Sequence, residues 1–114
     1  MGSGGGLVAT EYCVAMLIVT GSISARADTV DALRALSLEH VARSRAEPGC
    51  LEHGVALDAN DGLRLVFFER WEDRAAFDAH VRVPASRKFA AAVGELAARP
   101  PTLSVYDASE VPLR

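Results

Sequence analysis

The sequence CLEHGVALDANDGLRLVFFERW, residues 50–71, decides the fold of this chain. Its two arms are rich in β-branched, aromatic and other apolar residues, whereas Asp58 to Gly62 between them are typical of a turn. We therefore predict strands over Cys50 to Leu57 and Leu63 to Trp71, joined as a hairpin by a loop of about five residues.

The segments on either side of this hairpin complete a β-α-β-β-α-β order. Apolar periodicity, Pro and Gly breaks and helix-capping residues mark the boundaries of these segments. They are a strand from Cys13 to Ile23, a helix from about Asp28 (its N-cap) to Ala46, a short helix from Asp73 to about Val81, a helix beginning at Pro84 and ending before Pro100, and a strand from Leu103 to Ala108. This order predicts a ferredoxin-like α+β fold, in which an antiparallel sheet carries its helices on one face.

Length and composition indicate one globular domain. The chain has 114 residues, of which 50% are hydrophobic and 24% are charged, so a disordered or collagen-like chain is excluded. The glycine-rich start, Met1 to Gly6, is typical of a flexible leader or an expression scar. We assign residues 1–12 to that leader and residues 13–110 to the domain.

Net charge and hydropathy limit the classes of partner and the cellular compartment that we expect. The formal net charge is −3, so no basic surface is expected to bind nucleic acid. The longest apolar run, Val14 to Val19, is far shorter than the ~20 residues that span a bilayer. Cys13 and Cys50 are too few for a disulfide framework. These features predict a cytoplasmic protein that binds neither nucleic acid nor membranes.

Both faces of the predicted sheet are apolar. Leu65 and Phe67 point to one side of the third strand, whereas Val66 and Phe68 point to the other. Helices cover only one face of this fold, so the second face would expose a large apolar patch in a monomer. We therefore expect a homodimer in which Val66 and Phe68 face a partner sheet.

Two of the three histidines are candidates for proton transfer, since imidazole titrates near neutral pH. His80 follows Phe77 on the short helix, where it can meet Trp71 between helix and sheet; alternatively, it only complements the dipole at the helix C-terminus. His53 shares a strand face with Leu51 and Val55. Glu69 on the neighbouring strand can form a hydrogen bond with His53, and this pair is either catalytic or structural.

The third histidine, His40, lies on the inward side of the first helix. Ser37 and Ser44 flank it there, and such small polar residues indicate either a cavity or loose packing. No H-x-H, H-x-x-x-H or H-E-x-x-H spacing occurs, so we predict no metal site. No G-x-S-x-G turn is present to activate a serine nucleophile.

Three short motifs resemble the antibiotic biosynthesis monooxygenase family, which includes small quinol monooxygenases. The matching segments are Glu47-Pro48-Gly49-Cys50-Leu51, Leu65 through Glu69-Arg70-Trp71-Glu72-Asp73, and Phe77-Asp78-Ala79-His80. The resemblance covers about residues 14–108. It implies a dimeric α+β barrel, in which two ferredoxin-like sheets pack face to face.

The resemblance also implies a chemistry. Members oxidise an electron-rich aromatic, such as a quinol, with O₂ and without a metal or organic cofactor. His80 matches the family's helix histidine and is the expected base, while Trp71 matches the tryptophan that walls the pocket. We add His53 as a second catalytic candidate and assign substrate binding to Trp71, His40, Phe67 and Phe77.

The chain departs from the family pattern at several positions. His53 stands where members often carry a tyrosine, and Ala85-Ser86 follows the proline where many members have His-Phe. No asparagine lies between Cys13 and Ala25 to complete the haem-degrading set. Two other functions stay open: an isomerase or tautomerase that uses His80 and His53 as an acid/base pair, and a non-enzymatic dimeric ligand-binding or stress-response module.

Overall fold

A computed structural model describes residues 15–113, and the predicted order of elements is confirmed. The elements are β1 (Met16–Ser24), α1 (Val30–Arg45), β2 (Cys50–Asp58), β3 (Asp61–Trp71), α2 (Arg74–Arg82), α3 (Pro84–Leu96) and β4 (Thr102–Ala108). The leader assigned to residues 1–12 and the first two residues of the predicted first strand lie outside the described residues.

The four strands form one antiparallel sheet in the order β2-β3-β1-β4. Leu17 and Val19 of β1 and Leu65 and Trp71 of β3 are all buried on the helix-covered face. The next residues along each strand, such as Phe68, point to the other face, as the period of two requires. The ferredoxin-like α+β arrangement predicted from the sequence is therefore confirmed.

The core between sheet and helices has two parts. One part joins β1, α1, β3 and α3 through Ile23, Ala25, Leu33, Leu65 and Val93. The other part lies at the opposite end of the sheet and consists of Leu17, Val19 and Trp71, against which Phe77 of α2 packs. The second part is the platform on which the functional site is built.

The first helix does not begin as the sequence indicates. Asp28, the expected N-cap, is exposed and lies 3.4 Å from Arg26, while Thr29 is the N-cap residue. The Thr29 hydroxyl donates a hydrogen bond to the Leu96 carbonyl at 2.8 Å instead of capping its own helix. Burial of Leu33 at 0% exposure gives about 1.5–3 kcal/mol, more than the ~1 kcal/mol of a typical cap.

The hairpin turn is tighter than the predicted loop of about five residues. Asp58 pairs with Asp61 in the ladder, so only Ala59 and Asn60 connect the two strands. The Asp58 carboxylate accepts a hydrogen bond from the Asn60 backbone amide at 2.8 Å, which closes the turn through a side chain. Asp61 and Gly62 therefore extend the third strand.

The two helices after the hairpin begin at the residues that the sequence predicts. Asp73 accepts a hydrogen bond from the Ala76 amide at 2.8 Å and caps α2, and Pro84 opens α3. Within residues 15–113, the structure has no helix long and apolar enough to cross a membrane.

The face of the sheet away from the helices is partly apolar and open. It carries Ile18, Val66, Phe68 and Tyr106, of which Phe68 is 39% and Tyr106 53% exposed. A broad hollow of about 570 Å³ runs across this face. We call this surface the open face.

Candidate functional site

Three histidines from three different elements converge between sheet and helices. His40 comes from α1, His53 from β2 and His80 from α2, and their exposures are 6%, 1% and 5%. The ring centroids lie 5.2 Å (His40–His80), 5.3 Å (His40–His53) and 5.6 Å (His53–His80) apart. We call these three residues the histidine cluster.

His80 reaches the cluster from the last turn of α2. Its ring packs on Trp71 with the centroids 4.6 Å apart, so these side chains meet between helix and sheet, as the sequence indicated. Its Nδ1 lies 2.7 Å from Glu47 Oε1. This contact with a carboxylate orients the ring and leaves Nε2 for another partner.

Strand pairing places His53 beside Glu69. The two residues are directly opposite in the β2–β3 register, and His53 Nε2 lies 3.4 Å from Glu69 Oε2. Leu51, expected on the same face as His53, is 48% exposed, because a register shift between Cys50 and Glu52 interrupts the alternation. That expectation for Leu51 was wrong.

Glu69 is a buried carboxylate held from two sides. The Trp71 indole Nε1 donates a hydrogen bond to Glu69 Oε1 at 2.9 Å, and His53 adjoins the other oxygen. Burial alone raises the pKa of Glu69, but His53 and the Trp71 N–H outweigh burial, so the net pKa lies below its ordinary value. Glu69 therefore stays ionised inside the protein.

His40 is enclosed on the α1 side of the cluster. Its ring stacks on Phe89 of α3, with centroids 4.2 Å apart and planes 8° from parallel. Burial lowers the pKa of His40 to about 4, with a further lowering from His80 and His53. Ser37 and Ser44 next to it are fully buried, and Ser44 Oγ donates to the His40 carbonyl at 2.6 Å.

Two clefts border the cluster or its neighbour Glu69. An apolar cleft of about 220 Å³ lies between α3 and the sheet, with Phe67, Phe89 and Glu69 in its lining. A second cleft, of about 340 Å³, is lined by Glu47 and His80 among others. We call the first the apolar cleft and the second the α2 cleft.

The predicted site residues lie in different parts of the region around the histidine cluster. Phe67 lines the apolar cleft, and Phe77 packs edge-on against Trp71 with centroids 6.4 Å apart. Trp71 itself is 0% exposed, so it supports Glu69 and His80 from behind rather than lining the apolar cleft. His40, His53 and His80 are in mutual contact.

Two neighbours of the cluster were not among the predicted site residues. Glu47 follows the end of α1, and the fold of α2 over this turn brings it to His80. Phe89 of α3 is the second, and it stacks on His40. The sequence signal for Glu47 was its place in the Glu47-Pro48-Gly49 motif, where the turn fixes its direction.

Comparison with known proteins identifies the family. The family model described as antibiotic biosynthesis monooxygenase matches residues 16–92. Rv0793 of Mycobacterium tuberculosis, a proposed monooxygenase, is 40% identical over 80 residues, which are 70% of this chain and 78% of that protein. Its structure aligns with a TM-score of 0.76 over 87% of this chain and 96% of the other.

Two further similarities agree with this match. The Synechocystis protein sll1783, described as uncharacterized, is 32% identical over 82% of this chain, and the match spans 64% of its length. A proposed antibiotic biosynthesis monooxygenase of Deinococcus radiodurans aligns with a TM-score of 0.81 at 25% identity, over 86% of this chain and 97% of the other. The chain belongs to the antibiotic biosynthesis monooxygenase family.

Proposed function

We propose that the protein is a monooxygenase that uses O₂ to oxidise a small electron-rich aromatic of the quinol type, without a cofactor. The observation that carries this proposal is the apolar cleft, which has the aromatic walls Phe67 and Phe89 and the buried residue Glu69 in its lining. Such a cleft holds an aromatic ring by its apolar faces and leaves the ring hydroxyl next to Glu69.

The size of the cleft favours a substrate of one or two rings. Its volume of about 220 Å³ is below the ~300–1,000 Å³ that is typical of sites for drug-sized ligands. Phe67 and Phe89 line it, with ring centroids 6.2 Å apart. A small quinol therefore suits the cleft better than a large polycyclic compound does.

The reaction begins with removal of a proton from the ring hydroxyl, which makes an anion that O₂ can oxidise. O₂ then bonds to an unsubstituted ring carbon next to a hydroxyl-bearing carbon, and the O–O bond of this peroxide breaks. One oxygen atom stays on that carbon as the hydroxyl of a hydroxyquinone, and the other leaves as water with the two hydrogens that the substrate lost. Four electrons pass to O₂, two for the new C–O bond and two for the conversion of the quinol to a quinone, so no external reductant is needed.

The histidine cluster is suited to accept the first proton. We assign the proton acceptor to His80, because Glu47 lies 2.7 Å from its Nδ1 and stabilises the imidazolium that forms. Glu69 borders the apolar cleft, its Oε2 lies 3.4 Å from His53 Nε2, and the His53 and His80 ring centroids are 5.6 Å apart, so the proposed path of the proton runs by way of Glu69 and His53. Burial of all three histidines keeps bulk water away from the groups that receive the proton.

The protein is further proposed to work as a homodimer through its open face. Val66, Phe68 and Tyr106 form an apolar surface opposite the helices, and a second copy of the same sheet matches that surface in shape and chemistry. Packing two sheets face to face also encloses the hollow of about 570 Å³.

Oxygen uptake tests the proposed function directly. Chelator-treated protein is mixed with a panel of one-ring and two-ring hydroquinones in an oxygen electrode, and quinone formation is followed by absorbance. The proposal predicts enzyme-dependent uptake of one O₂ per hydroxyquinone formed, without release of hydrogen peroxide, with at least one substrate. Conversion of a substrate without O₂ would support an isomerase instead, and tight binding without conversion would support a ligand-binding module.

A further inference from the structure

The histidine cluster brings three potential metal ligands close together. One ring nitrogen from each of His40, His53 and His80 lies within 4.8 Å of the other two. A shift of less than about 1 Å per ring brings all three to the 2.0–2.1 Å from a common centre that Zn–imidazole bonds require. The spacing of the histidines along the chain gave no such signal, because each comes from a different element.

Several of these nitrogens have no partner of their own. His40 Nδ1 and both ring nitrogens of His53 are buried without a hydrogen bond to any residue of the described part of the chain. Buried polar atoms in folded proteins are nearly always paired, so unpaired nitrogens on two neighbouring rings point to an absent ligand. A cation that accepts one lone pair from each ring would satisfy one such nitrogen on His40 and one on His53.

Two carboxylates lie next to the histidine rings, as is common in metal sites. Metal-bound histidines commonly donate their second nitrogen to a carboxylate, which orients the ring. Glu47 occupies this position on His80 at 2.7 Å, and Glu69 adjoins His53 at 3.4 Å. The Trp71 N–H in turn holds Glu69 at 2.9 Å. Two carboxylates balance the charge of one divalent cation.

We infer that His40, His53 and His80 form a three-nitrogen site for a divalent transition metal of the Zn²⁺ or Co²⁺ type. Three neutral imidazoles suit these borderline cations, whereas Mg²⁺ and Ca²⁺ prefer oxygen ligands. Three protein ligands leave a fourth position on the metal for water or a small anion.

The α2 cleft gives the metal an entry path. His80 and Glu47 line this cleft, so one ligand of the site borders it, whereas His53 and His40 are not in its lining. Bound metal takes the Nε2 lone pair of His80. A bound metal therefore inhibits the oxidation, because His80 can no longer accept the substrate proton. This consequence rests on the proposed function.

Cobalt binding tests the site independently of any activity. Untagged protein is stripped with a chelator, dialysed and titrated with Co²⁺, and the visible absorption of nitrogen-bound cobalt is recorded. We expect saturation at one Co²⁺ per chain and displacement by Zn²⁺. His53→Gln and His40→Gln each should weaken Co²⁺ binding by more than tenfold, and Glu47→Gln by about 10–100-fold through loss of the ring's orientation.

Cys50→Ser is the matched control, because it removes the free thiol nearby and leaves the three imidazoles intact. It should bind Co²⁺ as the wild type does. Circular dichroism checks that each variant is folded, and Glu47→Gln tests the site even if a core histidine variant unfolds. Absence of stoichiometric cobalt binding by the folded wild type, or full binding by the folded histidine variants, would overturn the inference. Metal binding without any oxygen uptake would leave this site in place and contradict the proposed function alone.

Discussion

His40 is the residue whose chemistry depends most on its surroundings. Phe89 covers one face of its ring at 4.2 Å, and the rings of His53 and His80 lie within 5.3 Å. Burial and these neighbouring imidazoles lower the pKa of His40 to about 4 from an ordinary 6.5. The fold therefore favours the neutral ring, whereas the unfolded chain binds a proton there near pH 6.5.

This difference predicts a loss of stability in acid. His40 contributes fully to the stability of the metal-free protein above about pH 6.5, and the contribution disappears as the pH falls from 6.5 to about 4. The full loss corresponds to about 3 kcal/mol of unfolding free energy. Urea denaturation of chelator-treated protein at a series of pH values measures it.

His40→Leu separates this contribution from that of the other titrating groups. The variant has no imidazole at this position, so its unfolding free energy should fall less steeply between pH 6.5 and 4 than that of the wild type. Parallel pH profiles for the two proteins would show that His40 titrates normally in the fold.

At the scale of elements, local signals predicted the fold well wherever the stabilising contact is also local. The Asp73 cap and the Pro84 start of α3 involve neighbours within a few residues, and both were predicted from the sequence. Thr29 occupies the N-cap position of α1 without capping the helix through its side chain, because its hydroxyl donates to the Leu96 carbonyl of another element. No local pattern reports a contact between residues so far apart.

The same reasoning explains how much of the candidate site the sequence revealed. The period of two along β2 and β3 was enough to place His53 next to Glu69. The convergence of His40 and His80 on that pair depends on how α1 and α2 cross the sheet, which spacing along the chain does not encode. Glu47 enters only because α2 folds back over the turn that follows α1.

That turn yields a prediction at the element scale. Gly49 has φ +82°, and a Cβ added there would lie 2.5 Å from Ala76 Cβ of α2. Gly49→Ala should therefore destabilise the protein by about 2 kcal/mol or more, since it combines backbone strain with a steric clash. Chemical denaturation of the purified variant measures this cost.

Gly94→Ala is the matched control. Gly94 lies on α3 with open space around the position of a new Cβ. Because alanine favours helix, this substitution should leave stability unchanged or raise it by about 0.5–1 kcal/mol. Equal effects of the two substitutions would contradict the role given to Gly49.

At the scale of the whole molecule, we assign the proposed catalysis to the helix side and the proposed dimerisation to the open face. The helix side encloses the histidine cluster. The open face carries Val66, Phe68 and Tyr106 on the opposite side of the sheet. The hollow on this face and the apolar cleft share Ser22 and Thr102 in their lining, so the proposed association also borders that cleft.

Phe68→Asp tests this association. Phe68 is 39% exposed in the single chain, and a charge there would be buried without a partner in the dimer. Light scattering at micromolar concentration should give the mass of two chains for the wild type and of one chain, or an unfolded species, for Phe68→Asp. Leu38→Asp, at a 52% exposed position on α1, should remain dimeric. A stable monomeric wild type would refute the dimer.

The most direct test of the central claim is the rate of oxygen uptake by His80→Ala with the best hydroquinone substrate. General-base catalysis contributes about 10²–10⁴-fold, so kcat at neutral pH should fall by that factor while the protein stays folded. Val81→Ala, at the exposed neighbouring position, should keep the wild-type rate. If His80→Ala consumes oxygen as fast as the wild type, His80 is not the proton acceptor and the account of this site is wrong.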